Sequence, residues 1–133
     1  MRSILPAFLL LAACSSDAPQ SSAERALYAG EGRDRLCLAG GRAGFIAYGN
    51  GETNCSVRGR MQGTGEQFVT IIPDGDEDCR IEARRSGDMI RLKPLSAACD
   101  YYCGPGASFE GRAFTENAAA SPAVDFAGDP LCG

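Results

Sequence analysis

The chain has 133 residues, with 17 acidic against 13 basic side chains, a net charge of −4 and no histidine or tryptophan. That length suits one small domain, near the size at which a hydrophobic core alone is marginal. The acidic balance argues against nucleic acid as a partner, and the missing histidine excludes Ser-His-Asp and Cys-His catalysis.

The first sixteen residues read MRSILPAFLLLAACSS. Arg2 precedes an apolar run from Ile4 to Leu11, followed by Ala12, Ala13 and Cys14, so residues 1–13 read as a secretory signal peptide. The run is too short to span a bilayer, which needs about 20 apolar residues. The stretch Leu11-Ala12-Ala13-Cys14 resembles the bacterial lipoprotein signal. That resemblance implies lipidation of the Cys14 sulfur, cleavage before it, and acylation of the new amine with palmitate-type chains. Such an anchor makes release from a membrane negligible. Ser15 stands where the sorting pattern uses aspartate for inner-membrane retention. The expected location is therefore the outer membrane, with the domain in the periplasm, or the cell membrane in a host without an outer one. Removing residues 1–13 takes away one basic side chain, leaving 12 against 17 and a net charge near −5.

Residues 14–35 read as the lipidated N-terminus and a flexible tether. The segment from Ser15 to Arg35 is rich in Ser, Ala, Glu, Gly and Asp, with too little apolar surface to offset ordering its backbone. Ala23 to Tyr28 has room for only a turn or two of helix.

Residues 36–133 form one expected β-domain ending in a C-terminal tail. Leu36 to Ala39 and Gly44 to Tyr48 read as the first strands, followed by the turn-rich Gly49-Asn50-Gly51-Glu52-Thr53-Asn54. Cys55 to Met61 alternates, and Gln67 to Ile72 is β-rich. From Cys79 to Lys93, a turn at Ser86-Gly87 sets Ile81 opposite Leu92, Ala83 opposite Ile90 and Glu82 opposite Arg91. Ala107 to Phe114 reads as the last strand, with Ala107 and Phe109 inward and Ser108, Glu110 and Arg112 outward. The fold class is all-β: a small antiparallel meander closed into a barrel or stacked as a sandwich, stapled by disulfides.

Of seven cysteines, Cys14 is assigned to lipid, leaving Cys37, Cys55, Cys79, Cys99, Cys103 and Cys132. An even number in an exported domain reads as three disulfides, and six cysteines allow fifteen pairings. Cys132 is expected to pin an otherwise loose tail, Thr115 to Gly133. Zinc is not expected, because the chain has no CxxC pair and no histidine.

Two features stand out as candidate partner-binding surfaces. The turn Asp74-Gly75-Asp76-Glu77-Asp78 concentrates four acids in five residues, the strongest local negative field in the chain. Its alternating carboxylates could wrap calcium weakly, but the EF-hand pattern fails where Cys79 and Arg85 replace the required glycine and glutamate. The second is Cys99-Asp100-Tyr101-Tyr102-Cys103, where Tyr101 and Tyr102 sit between bridging cysteines as rigid, amphipathic contacts. Arg58, Arg60, Arg80, Arg84 and Arg91 line polar strand faces, a chemistry suited to anionic lipid headgroups or glycan. No catalytic residue, resident metal or cofactor is expected.

This layout resembles, in architecture, the small periplasmic lysozyme inhibitors of the membrane-bound type. Their serine-glycine-rich loop and tryptophan-bearing terminal strand have no counterpart here, so no family residue carries over. The phrase CDYYCGPGASFEGRAF, Cys99 to Phe114, also resembles the end of small cysteine-rich bacterial envelope domains. The expected function is a lipid-anchored periplasmic protein-binding module whose partner is a basic protein such as lysozyme. The alternative is a non-catalytic structural or assembly lipoprotein of the envelope.

Overall fold

In a computed structural model, which describes residues 25–132 apart from positions 64 and 66, eight strands run in sequence order around a closed antiparallel barrel. They are β1 (Ala26–Ala29), β2 (Arg35–Ala39), β3 (Arg42–Tyr48), β4 (Asn54–Gln62), β5 (Phe68–Pro73), β6 (Ile81–Ser86), β7 (Met89–Pro94) and β8 (Ala113–Glu116). Tyr28 opposite Glu116 and Ala29 opposite Thr115 close the ring between β1 and β8. The sandwich alternative is thereby set aside.

Period-two alternation decides which side chains enter the barrel. Leu36, Phe45, Val57, Ile71, Ile81, Leu92 and Phe114 point inward from successive strands and are fully buried. An eight-stranded barrel has an interior that such side chains just fill. The core is therefore one packed layer inside the ring.

Four sequence expectations are corrected. Residues assigned to the tether enter the barrel: Ala26–Ala29 is a strand, not a helical turn, because it pairs with β2 on one side and β8 on the other. Leu36 to Ala39 is thus within the second strand, not the first. The β6–β7 turn is Gly87-Asp88, so Ile81 faces Pro94, Glu82 faces Lys93, Ala83 faces Leu92 and Arg84 faces Arg91. Gly87 has φ 62°, the left-handed value demanded of the first central residue in a II′ hairpin, and serine is disfavoured there.

The expected strand Ala107–Phe114 becomes β8 only from Ala113. Phe109 is buried as expected, but through a turn that lays its ring 5.0 Å from Phe45. Arg112 turns to the buried Asp34 instead of outward to solvent.

The fourth correction concerns the tail. Thr115 and Glu116 belong to β8, and the residues beyond cover the outer face of β2 and β3. Leu131 and Ala123 pack there on Cys37 and Ile46, making a second, smaller core outside the barrel. The tail backbone passes so close that a Cβ on Gly44 would lie 2.4 Å from the Leu131 carbonyl oxygen. Only glycine admits that approach.

Three disulfides form among the six expected cysteines: Cys37–Cys132, Cys55–Cys103 and Cys79–Cys99. The first pins the tail. The other two act at one end of the barrel.

Candidate functional site: the stapled lid and the acidic turn

The chain crosses one end of the barrel between β7 and β8. Ser96 opens a 3-10 helix, Ala97–Tyr102, that lies over this end as a lid. Cys99 ties the lid to Cys79 just before β6, and Cys103 ties it to Cys55 at the start of β4. The Ser96 hydroxyl adds a bond to the Asp78 carbonyl at 2.7 Å. Beneath it, Phe109 seals the barrel against Phe45. So short a helix has no stability of its own, and its fixed position comes from the two bridges.

The lid separates the two expected tyrosines into different roles. Tyr102 is half buried, and its hydroxyl donates to Asp76 Oδ2 at 2.7 Å. Burial and this bond to a carboxylate together push the Tyr102 hydroxyl above its ordinary range. Tyr101 is 85% exposed, with its ring edge-on to Tyr102 at 5.2 Å. One tyrosine thus fastens the lid to the acidic turn, and the other stands out from it.

The acidic turn is largely spent within the molecule. Asp74 receives two bonds from Arg42, at 2.7 and 2.6 Å, and Glu77 pairs with Arg60 at 2.8 Å and Arg80 at 3.9 Å. Arg42 and Arg60 lie directly opposite each other on β3 and β4, so their acids relieve a cross-strand repulsion. The Arg42 bond holds the Asp74 carboxyl below its ordinary range. The Tyr102 hydroxyl, then the Asp78 backbone N–H, do the same for Asp76. The concentrated field expected of this turn is accordingly muted at Asp74 and Glu77 by their arginines, while Asp76 is kept ionised by its bonds to neutral donors. Asp78, exposed, has no ion-pair partner among the described residues, and the same holds for Asp100 on the lid.

The surface available to a partner is therefore narrower than the six expected residues. It comprises Tyr101, Asp78 and Asp100, together with Leu95, which is 50% exposed at the base of the lid. Leu95 and Asp100 were not legible as site residues. Leu95 continues the outward-facing row of Arg91 and Lys93 past the end of β7, at the start of the connection to the lid.

Two further polar arrangements flank the barrel ends. Asp34, 2% exposed in the β1–β2 turn, accepts from the Tyr48 backbone N–H and from Arg112, each at 2.8 Å. Arg112 also donates to the Tyr48 carbonyl at 2.8 Å, so the cluster joins the first turn, the end of β3 and the lid's exit. Its groups are saturated by one another, which suits a lock and not a reactive site.

At the opposite, unlidded end, Ala26, Tyr28, Leu38, Met61, Val69 and Arg85 line an open cleft of about 460 Å³. Arg85 donates there to the Tyr28 hydroxyl at 3.4 Å. Burial raises the Tyr28 pKa despite the nearby Arg85 charge. This cleft had no sequence signal, because it exists only when β1 closes the ring.

Neither the lid nor the acidic turn forms a metal cage: among the described residues no cluster of three or more acids, cysteines or histidines is placed to hold an ion. No protein-family model, curated protein or solved structure matches this chain.

Proposed function

We propose that this is a non-catalytic protein-binding module of the bacterial envelope, anchored by lipid on Cys14 and engaging its partner through the stapled lid. The observation that carries the reading is Tyr101, 85% exposed on a six-residue helix fixed by two disulfides. An exposed aromatic held rigid loses little conformational freedom on binding, which is how such residues come to dominate interface energies. The anchor supports the same orientation. The chain enters the barrel at Arg25, beside the unlidded end, which leaves the lid at the end away from the proposed anchor.

Asp78 and Asp100 beside the lid favour a basic partner, and lysozymes, which are strongly basic, are the partner proposed. The muted acidic turn shifts the expected contact from Asp74 and Glu77 to the lid itself. The lipoprotein signal at Leu11–Cys14 supports outer-membrane anchoring, with Ser15 in place of the retaining aspartate.

Binding of the mature chain to lysozyme, measured in low salt alongside inhibition of cell-wall lysis, tests the reading. Tyr101→Ala should weaken binding at least about tenfold. Asp78→Asn with Asp100→Asn should slow association, an effect that fades as salt rises. No binding at micromolar concentration removes lysozyme as the partner. A Tyr101→Ala protein that captures the same envelope proteins as wild type removes the lid and leaves the structural lipoprotein reading. Intact-mass analysis of the mature protein, expected to show an acylated Cys14, tests the anchor separately.

A further inference from the structure

The two ends of the barrel are closed differently. At the lidded end the rings of Phe45 and Phe109 lie 5.0 Å apart and seal the interior. At the other end the side chains beside the opening are small or slender, and the cleft of about 460 Å³ stays open between Ala26, Met61 and Val69. A second pocket of about 70 Å³ shares Leu38, Met61, Val69 and Arg85 with that cleft and reaches the buried Ala83 and Ile90. The two make an apolar recess leading from solvent toward the core. Its size falls among those of small-molecule sites, about 300–1,000 Å³, and the mouth of a β-barrel is a preferred place for one.

Two polar groups interrupt this apolar wall, and both are donors. Tyr28 is 3% exposed. Its hydroxyl oxygen accepts from Arg85 at 3.4 Å, and among the described residues nothing accepts its own proton. Burial raises its pKa, so at neutral pH the phenol keeps that proton to donate. Arg85 is placed alike. Among the described residues, this long bond to a neutral phenol is its only side-chain hydrogen bond, and no carboxylate lies within ion-pair distance of it. A buried donor left without an acceptor is costly and calls for a partner outside the chain.

The charges around the recess are mixed. Arg25 and Arg85 line it together with Glu116, and Asp88 stands in the adjoining β6–β7 turn. They are not equivalent at the donor pair. Arg85 acts on the Tyr28 oxygen more strongly than Glu116 or Asp88, and neither acid bonds to that oxygen. A ligand oxygen placed between the two donors therefore meets a guanidinium and a phenol at once. The planar fork of a guanidinium matches the two oxygens of a carboxylate, and one recess with one donor pair suits a single chain with a single head.

We propose that the open mouth of the barrel binds one medium-chain fatty acid, its carboxylate held by Arg85 and the Tyr28 hydroxyl and its chain laid along Leu38, Met61 and Val69 toward Ala83 and Ile90. The site is at the end opposite the lid. It rests neither on the lid's partner nor on lipid at Cys14.

The test uses the mature chain with Cys14→Ser, exported behind an ordinary leader and freed of carried lipid, so that no acyl group of its own competes. Calorimetric titration with decanoate below its micelle concentration should show one bound per barrel. Octanoate, two methylenes shorter, should bind about tenfold more weakly. Decanol has the same chain without the charge and should also bind at least about tenfold more weakly than decanoate. Arg85→Gln should abolish the preference for decanoate over decanol. Tyr28→Phe should weaken decanoate about fivefold. Glu116→Gln should strengthen decanoate and leave decanol unchanged, whereas Arg33→Gln, paired with Glu52 at the lidded end, should alter neither. Near-ultraviolet circular dichroism and thiol titration establish that each variant is folded and oxidised.

No binding of decanoate at millimolar concentration overturns the proposal. So does equal affinity of the wild-type protein for decanoate and decanol, or undiminished decanoate binding by Arg85→Gln. Uptake of many decanoates per barrel, indifferent to chain length, would be adsorption to the surface and would overturn it too.

Discussion

Replacing Cys37 and Cys132 together by alanine removes the bridge that ties the tail to the outer face of β2. The two cysteines are 95 residues apart in sequence. With the Cys55–Cys103 bridge intact, however, the shortest covalent path between them runs through that bridge and spans roughly fifty residues. The chain-entropy relation then gives a loss of about 4 kcal/mol, against about 4.7 kcal/mol for an uncrossed loop. That is a large share of a total stability of about 5–15 kcal/mol.

Urea denaturation of the mature oxidised protein should show the midpoint falling by about 2 M, for a slope near 2 kcal/mol per molar. Hydrogen exchange should localise the first opening. The Asn117 amide bonded to Leu27, the Asp125 amide bonded to Asp129 and the Leu131 amide bonded to Ala123 should lose protection before the barrel strands. A loss under about 1 kcal/mol, with these tail amides still protected, would refute the reasoning. It would mean that the packing of Leu131 and Ala123 on Ile46, not the cross-link, holds the tail.

Asp34→Ala leaves the 29%-exposed Arg112 without its carboxylate and the Tyr48 amide without an acceptor, and should cost about 3 kcal/mol in the same denaturation assay. Adding Arg112→Leu should restore part of that loss, and a single-variant cost below about 1 kcal/mol would show the cluster to be idle. Asp74 and Asp76 have folded-state pKa values depressed below 3.8, so their contribution is present above the unfolded pKa and lost as pH falls through the folded values. Stability should therefore decline from about pH 5 downward. Tyr102→Phe should raise the Asp76 carboxyl midpoint in an NMR titration, and an unchanged midpoint would refute the lid-fastening bond.

Local pattern was enough to identify the strands from Leu36 to Leu92, because each has apolar residues at a two-residue period between turn residues. It also made three disulfides expected, from an even set of six cysteines. Alternation could not fix the β6–β7 register. Moving the turn from Ser86-Gly87 to Gly87-Asp88 shifts every partner by two residues, and a shift of two keeps Ile81, Ala83, Ile90 and Leu92 on the same face. The position of the glycine within the turn distinguishes the two, through its positive φ.

The acidic turn and the tyrosine pair were visible as residues but not as partners. Asp74 and Glu77 find Arg42 and Arg60 only because the β5–β6 connection folds back over β3 and β4. Tyr101 and Tyr102 are neighbours in sequence, yet the two disulfides turn one to solvent and the other onto Asp76.

By itself the sequence determined the fold class, the number of cross-linking cysteines and the alternating inward residues of most strands, since composition and short-range periodicity carry those. Tertiary structure decided the rest. Ala26–Ala29 is too short and too weakly β-forming to be a strand alone, and becomes one because β2 and β8 satisfy its backbone from both sides. The tail becomes a second core because Gly44 lets its backbone approach, and the cysteines pair as they do because barrel closure brings their Cα atoms within bridging distance. Each depends on contacts between residues far apart in the chain, which local pattern does not encode.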